Sequence, residues 1–136
     1  MRKSTASILM AASAALILAN CSFGVSKQEI RQNADHKTGS IVLAKNYQAL
    51  LKCWDDRADK GSFNSGFAAT VTSNVYTELG KAEISITAGG SYLLLIELEK
   101  IGQNRTKLMA YGQGDVGQTY IPKWGQTLEN CADGTL

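Results

Sequence analysis

The sequence predicts an α+β fold: one long N-terminal helix packed on an antiparallel sheet of about four strands, followed by a short C-terminal helix and stapled by one disulfide. Two patterns predict it. Apolar residues repeat with helical spacing between Ser40 and Lys60, and they alternate with period two from Phe63 onward. Gly89-Gly90 is a hairpin signal between two alternating runs, so we expect neighbouring strands to be antiparallel. A helix laid on the apolar face of that sheet would bury both apolar stripes.

The helix prediction rests on an apolar stripe and on its two ends. The stripe consists of Leu43, Tyr47, Leu50, Trp54 and Ala58, spaced three or four residues apart. Ser40 is a candidate N-cap, and Gly61 lies where a C-cap glycine is common. Three aspartates crowd the last turns, but their spacing does not match the calcium-binding loop of an EF-hand. We therefore interpret Asp55, Asp56 and Asp59 as a solvated helix end.

The sheet prediction comes from runs in which apolar and polar residues alternate. We expect strands at 67–79, 82–88, 91–101 and 105–111, the first interrupted by a turn or bulge at Ser73-Asn74. In the third strand Tyr92, Leu94, Ile96 and Leu98 should share one face. The last strand brings Lys107 close to Glu97 or Glu99, and such a cross-strand ion pair adds about 0.2–1 kcal/mol.

A glycine-rich segment follows the last predicted strand. Residues 112–117 spell GxGxxG, but the dinucleotide-binding fingerprint needs a helix and a second strand after it, and Pro122 interrupts that region. We interpret the segment as a flexible, turn-rich loop. Pro122 suits the first turn of a helix, so we predict a short C-terminal helix from Lys123 to Cys131, with Trp124 and Leu128 facing inward.

An apolar segment near the N-terminus ends at a cysteine. Arg2 and Lys3 precede the run Ile8–Ala19, which is shorter than the roughly 20 residues that a membrane-spanning helix needs. This layout is typical of a secretory signal peptide. The run closes with Leu18-Ala19-Asn20-Cys21, which resembles the lipobox of bacterial lipoproteins, although Asn20 departs from the Gly, Ala or Ser that is usual there. An ordinary signal peptide with a chance cysteine, or a short buried helix, is the alternative.

The resemblance implies a lipid anchor. Cys21 would carry a diacylglyceryl group and an N-acyl chain such as palmitate, and it would be the first residue of the mature protein. Several acyl chains hold a protein stably at a membrane, so the membrane is an expected partner. Ser22, in place of the Asp that retains such proteins in the inner membrane, favours the outer membrane, facing the periplasm. We divide the chain into a signal peptide (1–20), a flexible tether (21–39) and a single α+β domain (40–136).

The three cysteines are an odd number for an exported protein. With lipid on Cys21, Cys53 and Cys131 remain, and we expect a disulfide between them in the oxidising periplasm. A metal site or a catalytic thiol is the alternative, but the sequence has no CxxC motif, and its one histidine, His36, lies in the expected tether. The bond would hold the C-terminal segment against the long helix, with both tryptophans buried nearby. We predict no metal and no cofactor.

The balance of charges and the motifs in the sequence reduce the number of function classes to consider. The chain has 14 basic and 12 acidic residues, and loss of Arg2 and Lys3 with the signal peptide makes these numbers equal. No basic patch is visible in the sequence, so we do not expect nucleic acid as a partner. No histidine is placed for a serine or cysteine triad, and Glu97 and Glu99 are typical of a strand's surface face. We assign no catalytic residue and predict that the protein is not an enzyme.

The sequence therefore predicts a non-catalytic, membrane-anchored lipoprotein of the cell envelope that acts as a binding or assembly component, with a protein partner. The alternative is an inhibitor or immunity lipoprotein that blocks an envelope enzyme, such as a cell-wall hydrolase. A third hypothesis is a hydrolase built on carboxylates.

Overall fold

A six-stranded antiparallel sheet forms the centre of the molecule in the computed structural model, which describes residues 24–61 and 68–134. The elements in chain order are helix α1 (Lys27–Asn33), strands β1 (His36–Lys37) and β2 (Ile41–Leu43), helix α2 (Tyr47–Arg57), strand β3 (Ala69–Tyr76), a 3₁₀ turn (Thr77–Leu79), strands β4 (Lys81–Ala88), β5 (Ser91–Gly102) and β6 (Arg105–Gly112), and helix α3 (Gly114–Asp133). The strand order is β1–β6–β5–β4–β3, and β2 also pairs with β6. The predictions made for 18–21, 63 and 67 lie outside the described residues.

The two faces of the sheet carry different helices. Side chains alternate between faces along a strand. On β5, Leu94 and Ile96 belong to the core beneath α2 and α3, whereas Leu95 belongs to a small cluster beneath α1. Trp54 of α2 and Trp124 of α3 are fully buried, and their ring centroids lie 4.9 Å apart in an edge-to-face arrangement. The prediction that both tryptophans are buried where the two helices meet is confirmed.

The predicted long N-terminal helix is wrong: α2 has 11 residues, and the long helix is the C-terminal α3, with 20. Helix α2 starts at Tyr47 because the side chain of Asn46 accepts hydrogen bonds from the backbone N–H groups of Gln48 and Ala49. Leu43 joins the same core from strand β2, so its helical spacing from the helix residues is coincidental. The β-branched residues that precede it favour the strand.

Helix α2 ends at Arg57, ahead of the predicted end near Gly61. Two of the three aspartates here are not simply solvated. The carboxylate of Asp55 accepts a hydrogen bond from Ser73 Oγ at 3.0 Å, and Asp59 accepts one from Lys123 Nζ at 2.6 Å. The hydrogen bond from Lys123 lowers the pKa of the Asp59 carboxyl below its usual value. These contacts join the end of α2 to β3 and α3.

The sheet has six strands because β1 and β2, two short segments before α2, pair with β6. The turn or bulge predicted at Ser73-Asn74 is wrong, since β3 keeps one register against β4 along its whole length. A bulge lies instead between β4 and β5, at Ile86/Thr87, and it moves Tyr92 to the side that carries α1. Gly89 and Gly90 form the predicted hairpin turn, with positive φ angles of 57° and 79°.

Helix α3 begins at Gly114, so the predicted flexible loop and the predicted short C-terminal helix are both wrong. Pro122 lies inside the helix, where it removes the hydrogen bond to the carbonyl of Gln118. The helix continues through the proline because residues on both sides of it are packed. Gly117 contacts the end of β6, and Trp124 is buried in the core.

The residues expected to form a flexible tether are folded from Gly24 onward, so that prediction is wrong for 24–39. Helix α1 starts with a capping box: Ser26 Oγ accepts a hydrogen bond from the N–H of Glu29, and the Glu29 carboxylate accepts one from the N–H of Ser26. Ile30 is fully buried against the sheet. The domain therefore begins at about Gly24 rather than at residue 40.

The predicted disulfide joins Cys53 of α2 to Cys131 of α3, with the two Cα atoms 6.0 Å apart. Trp124 and Leu128 are fully buried on the inner side of α3, as predicted. Lys45 Nζ donates a hydrogen bond to the carbonyl of Cys131 at 2.9 Å. The end of α3 is thus tied both to α2 and to the segment that precedes α2.

Within residues 24–61 and 68–134, none of the helices combines the length and the apolar character that crossing a membrane requires.

Candidate functional site

A groove of about 310 Å³ runs along the side of the sheet that carries α1, between α1 and the 3₁₀ turn. We call it the charged groove. The side chains that define it are Lys27, Arg31, Tyr76, Leu79, Lys81, Glu83, Glu97 and Glu99. They come from α1, the 3₁₀ turn and strands β3, β4 and β5, so the groove forms only when α1 is docked on the sheet.

Two carboxylates lie side by side on the floor of the groove. Glu83 of β4 is the direct cross-strand partner of Glu97 of β5. Like charges in that position destabilise a sheet. Helix α1 compensates by placing two cations, one helical turn apart, over the pair. Lys27 Nζ lies 2.5 Å from Glu83 Oε2, and the guanidinium of Arg31 forms ion pairs with both Glu83 and Glu97.

Lys27 is held by several groups at once. Its Nζ lies 3.4 Å from the hydroxyl of Tyr76 and 5.5 Å from the centroid of that ring. A second ring, that of Tyr92, has its centroid 5.8 Å from the same ammonium. Burial opposes the charge of Lys27, but the hydrogen bond and the charge of Glu83 outweigh it and raise the pKa of the Lys27 ammonium above its usual value.

A second row of polar and charged side chains lies two residues further along the strands, on the side of the 3₁₀ turn. Tyr76, Lys81, Glu99 and Lys107 follow one another across β3, β4, β5 and β6. The ammonium of Lys107 lies 2.9 Å from Glu99, and this hydrogen bond is the main cause that lowers the pKa of the Glu99 carboxyl. Leu79 stands at the rim of the groove with 69% of its surface exposed. The groove therefore offers paired charges of both signs beside one exposed apolar side chain.

The predicted site residues lie in different places. Cys21 is outside the described residues, and Cys53 and Cys131 are joined beneath the opposite face of the sheet. His36 lies in β1, opposite Gly112 of β6, rather than in a free tether. The two glutamates that the sequence assigned to a surface face, Glu97 and Glu99, both line the charged groove.

Sequence reasoning missed the two cations that α1 supplies to the groove. A local signal for them exists, because Ser26 and Glu29 form a capping box and Lys27 and Arg31 have i,i+4 spacing in the same helix. The carboxylate that pairs with these cations cannot be recognised from the residues near them in the sequence. Glu83 lies 56 residues after Lys27, and only the docking of α1 on β4 and β5 brings them together.

The described part of the chain has no cluster of three or more His, Cys, Asp or Glu side chains placed to hold a metal ion. No protein-family model matches the chain, and no curated protein matches its sequence. The charged groove is therefore characterised by its own geometry alone.

Proposed function

We propose that the protein is a lipoprotein of the cell envelope, anchored through Cys21 to the periplasmic side of the outer membrane, and that its domain binds another envelope protein without catalysing a reaction. The observation that carries the proposal is the pairing of Cys53 with Cys131. That bond uses both cysteines of the domain, and it suits a protein that folds in an oxidising compartment. Cys21, at the end of a lipobox-like sequence, is left for lipid.

The start of the fold supports the same proposal. Helix α1 starts at Lys27, six residues after Cys21, and the N–H of Val25 is already hydrogen-bonded to Ser91 Oγ. The folded domain therefore lies close along the chain to the cysteine that we propose carries the lipid. Cys53 and Cys131 are joined to each other, so Cys21 is the cysteine that the disulfide does not use.

The charged groove supports a binding role. Glu83 and Glu97 are engaged by Lys27 and Arg31, so their charges stabilise the position of α1. Leu79 adds an exposed apolar side chain at the rim, where a buried contact with a partner would gain free energy. Apolar anchors surrounded by polar groups are typical of protein–protein interfaces. We infer that the partner is a protein segment with an apolar side chain that covers Leu79.

Mass spectrometry of the protein isolated from membranes tests the anchor. We expect the mature chain to start at Cys21 and to carry a diacylglyceryl group and an N-acyl chain. Cys21→Ala should move the protein out of the membrane fraction, and Ser22→Ala is the matched control that should leave it there. An unmodified N-terminus at another residue, or a Cys21→Ala variant that stays with the membrane, would refute the anchor.

Crosslinking in intact envelopes, followed by affinity purification, tests the binding role. Leu79→Asp should reduce the recovered partner several-fold. Val42→Asp is the matched control, because Val42 is 50% exposed and lies outside the groove. A large complex that depends on Leu79 supports an assembly component, and a single enzyme inhibited by the protein supports the inhibitor alternative. Equal recovery with both variants contradicts a groove-dependent partner.

A further inference from the structure

We propose that one particular end of the domain contacts the membrane surface. We call it the hairpin end, and it consists of Gly24, Val25, Gly89, Gly90 and Ser91. This inference rests on the proposed attachment of lipid at Cys21. The partner of the hairpin end is the lipid headgroup surface, and the opposite end of the sheet, with Leu79 and Lys81 of the charged groove, points away from it.

The chain enters the fold at the turn between β4 and β5. The N–H of Val25 donates a hydrogen bond to Ser91 Oγ at 2.9 Å, and the N–H of Tyr92 donates one to the carbonyl of Val25, also at 2.9 Å. Gly24 lies against the turn so closely that a Cβ on it would be 3.2 Å from the carbonyl oxygen of Gly90. Gly24 and Val25 are thus fixed to the hairpin end.

The remaining link to the lipid is short. Consecutive Cα atoms are 3.8 Å apart, so the three peptide steps from Cys21 to Gly24 span at most about 11 Å. The acyl chains on Cys21 must lie in the hydrocarbon layer, and the headgroup layer is about 5–8 Å thick on each side of it. The link therefore keeps Gly24 and the turn beside it in the headgroup layer or directly above it.

The chemistry of the turn suits that position. Gly89, Gly90 and Ser91 carry no charge, and the two glycines are exposed. An uncharged turn can contact headgroups without the cost of desolvating an ion. Two charged side chains flank this end: Glu29 lines one surface with Gly24 and Ser91, and Lys27 Nζ lies 5.8 Å from the centroid of the Tyr92 ring. The far part of the groove lies at the other end of β4, a strand of eight residues, which places Lys81 roughly 25 Å from the turn.

The consequence is an orientation for the whole domain. The strands β4 and β5 run away from the membrane, and the 3₁₀ turn with Leu79 lies at the far end, where Gly80 accepts a hydrogen bond from the N–H of Lys100. A partner that covers Leu79 meets the protein on the side remote from the lipid. The anchor therefore leaves Leu79 and the adjacent part of the groove accessible to a partner.

Depth-dependent fluorescence quenching tests the orientation. The chain from residue 21 onward is coupled through Cys21 to a maleimide lipid in vesicles of phosphatidylethanolamine and phosphatidylglycerol that contain a headgroup-labelled quencher. A fluorescent amino acid replaces either Gly89 or, as the matched control in the turn at the other end of the sheet, Asn104. A Cβ at Gly89 would meet nothing within 4 Å, but its φ of 57° strains an L residue, so the same probe at Ala88, the last residue of β4, is the second variant and should be quenched alike.

We expect the probe at Gly89 to be quenched several-fold more strongly than the probe at Asn104. Insertion of a Gly/Ser linker of about 20 residues after Ser22 should remove the difference, because such a linker is flexible. Equal or reversed quenching in the protein without the linker overturns the orientation, as does a difference that the linker leaves unchanged. Because the lipid is attached chemically, this result does not depend on whether cells lipidate Cys21, which the mass spectrometry decides separately.

Discussion

Gly117 of α3 lies directly against Gly112 at the end of β6: a Cβ atom on Gly112 would be only 2.4 Å from the Cα of Gly117. The helix and the strand touch through their backbones, which explains the first and third glycines of the GxGxxG pattern, and the second, Gly114, has a positive φ of 50° at the start of α3. We predict that Gly117→Ala lowers the free energy of unfolding by about 1–3 kcal/mol, because the added methyl group forces α3 away from the sheet. Urea denaturation measures the change.

The matched control for this prediction is Gly125→Ala in the same helix. A Cβ at Gly125 would meet nothing within 4 Å, so the substitution introduces no clash. It should stabilise the protein by up to about 1 kcal/mol, since alanine has the higher helix propensity. Equal losses of stability in the two variants would contradict the backbone contact as the cause.

The start of α2 gives a second prediction. Asn46 accepts hydrogen bonds from two backbone N–H groups of the first helical turn, whereas Ser40 lies before β2 and caps nothing in α2. Asn46→Ala should therefore cost about 1 kcal/mol of stability, and Ser40→Ala should change it by less than about 0.5 kcal/mol. Thermal denaturation followed by circular dichroism compares them. A larger loss for Ser40→Ala would restore the helix start that the sequence predicted.

Local patterns in the sequence predicted the elements whose signals are local. The alternation along β4, β5 and β6 and the Gly89-Gly90 turn follow from period two and from hairpin geometry. The same patterns left Glu97 and Glu99 as alternative partners of Lys107, and the register selects Glu99. The pairing of Cys53 with Cys131 followed from counting cysteines once Cys21 was assigned to lipid. These predictions need no knowledge of how distant segments meet.

The predictions that failed depended on tertiary contacts. Leu43 has helical spacing from Tyr47, but pairing with β6 places it in a strand that shares the same core. Pro122 was expected to start a helix, yet the packing of Gly117 and Trp124 on both sides keeps α3 continuous. Polar residues around α1 suggested a tether, but Ile30 is fully buried, and Lys27 and Arg31 form ion pairs with the sheet.

The disulfide gives a third prediction. Cys53 and Cys131 are 78 residues apart, and the loop-entropy relation assigns about 4.5 kcal/mol of stability to a closed loop of that length. The double variant Cys53→Ala/Cys131→Ala should lose about that much in urea denaturation. Trp124 and Leu128 remain buried contacts, so amide exchange should accelerate in the last turn of α3 before the rest of the helix.

Reduction of the unaltered protein is the control for the double variant, and the two should show the same stability. A protein that keeps its full stability without the bond would contradict the role of the disulfide. A helix α3 that exchanges uniformly and early would contradict the docking through Trp124 and Leu128.

Ile30 gives a fourth prediction, which concerns α1. It is fully buried on the side of the sheet opposite α2 and α3, and its neighbours form a cluster separate from the main core. Ile30→Ala should cost about 2–4 kcal/mol and should release α1 first, so that amides of residues 27–33 exchange faster while those of β4 stay protected. Gln32→Ala, at an exposed position of the same helix, should change neither.

The ion pair between Lys27 and Glu83 gives the last prediction, which concerns pH. The pKa of Lys27 is raised above the ordinary value of 10.5 because the hydrogen bond and the charge of Glu83 outweigh the effect of burial. A raised pKa in the folded state means that the charged form contributes stability in full below the unfolded pKa, and that this contribution disappears as the pH rises through the folded pKa. We expect the stability difference between the protein and Lys27→Met, about 1 kcal/mol, to be constant from about pH 7 to about pH 10 and to shrink above that. Urea denaturation at a series of pH values measures it.

Lys52→Met, at an exposed position of α2, is the control and should show no such loss. A difference for Lys27→Met that persists unchanged to about pH 12 would mean that the contact stabilises α1 by packing rather than by charge.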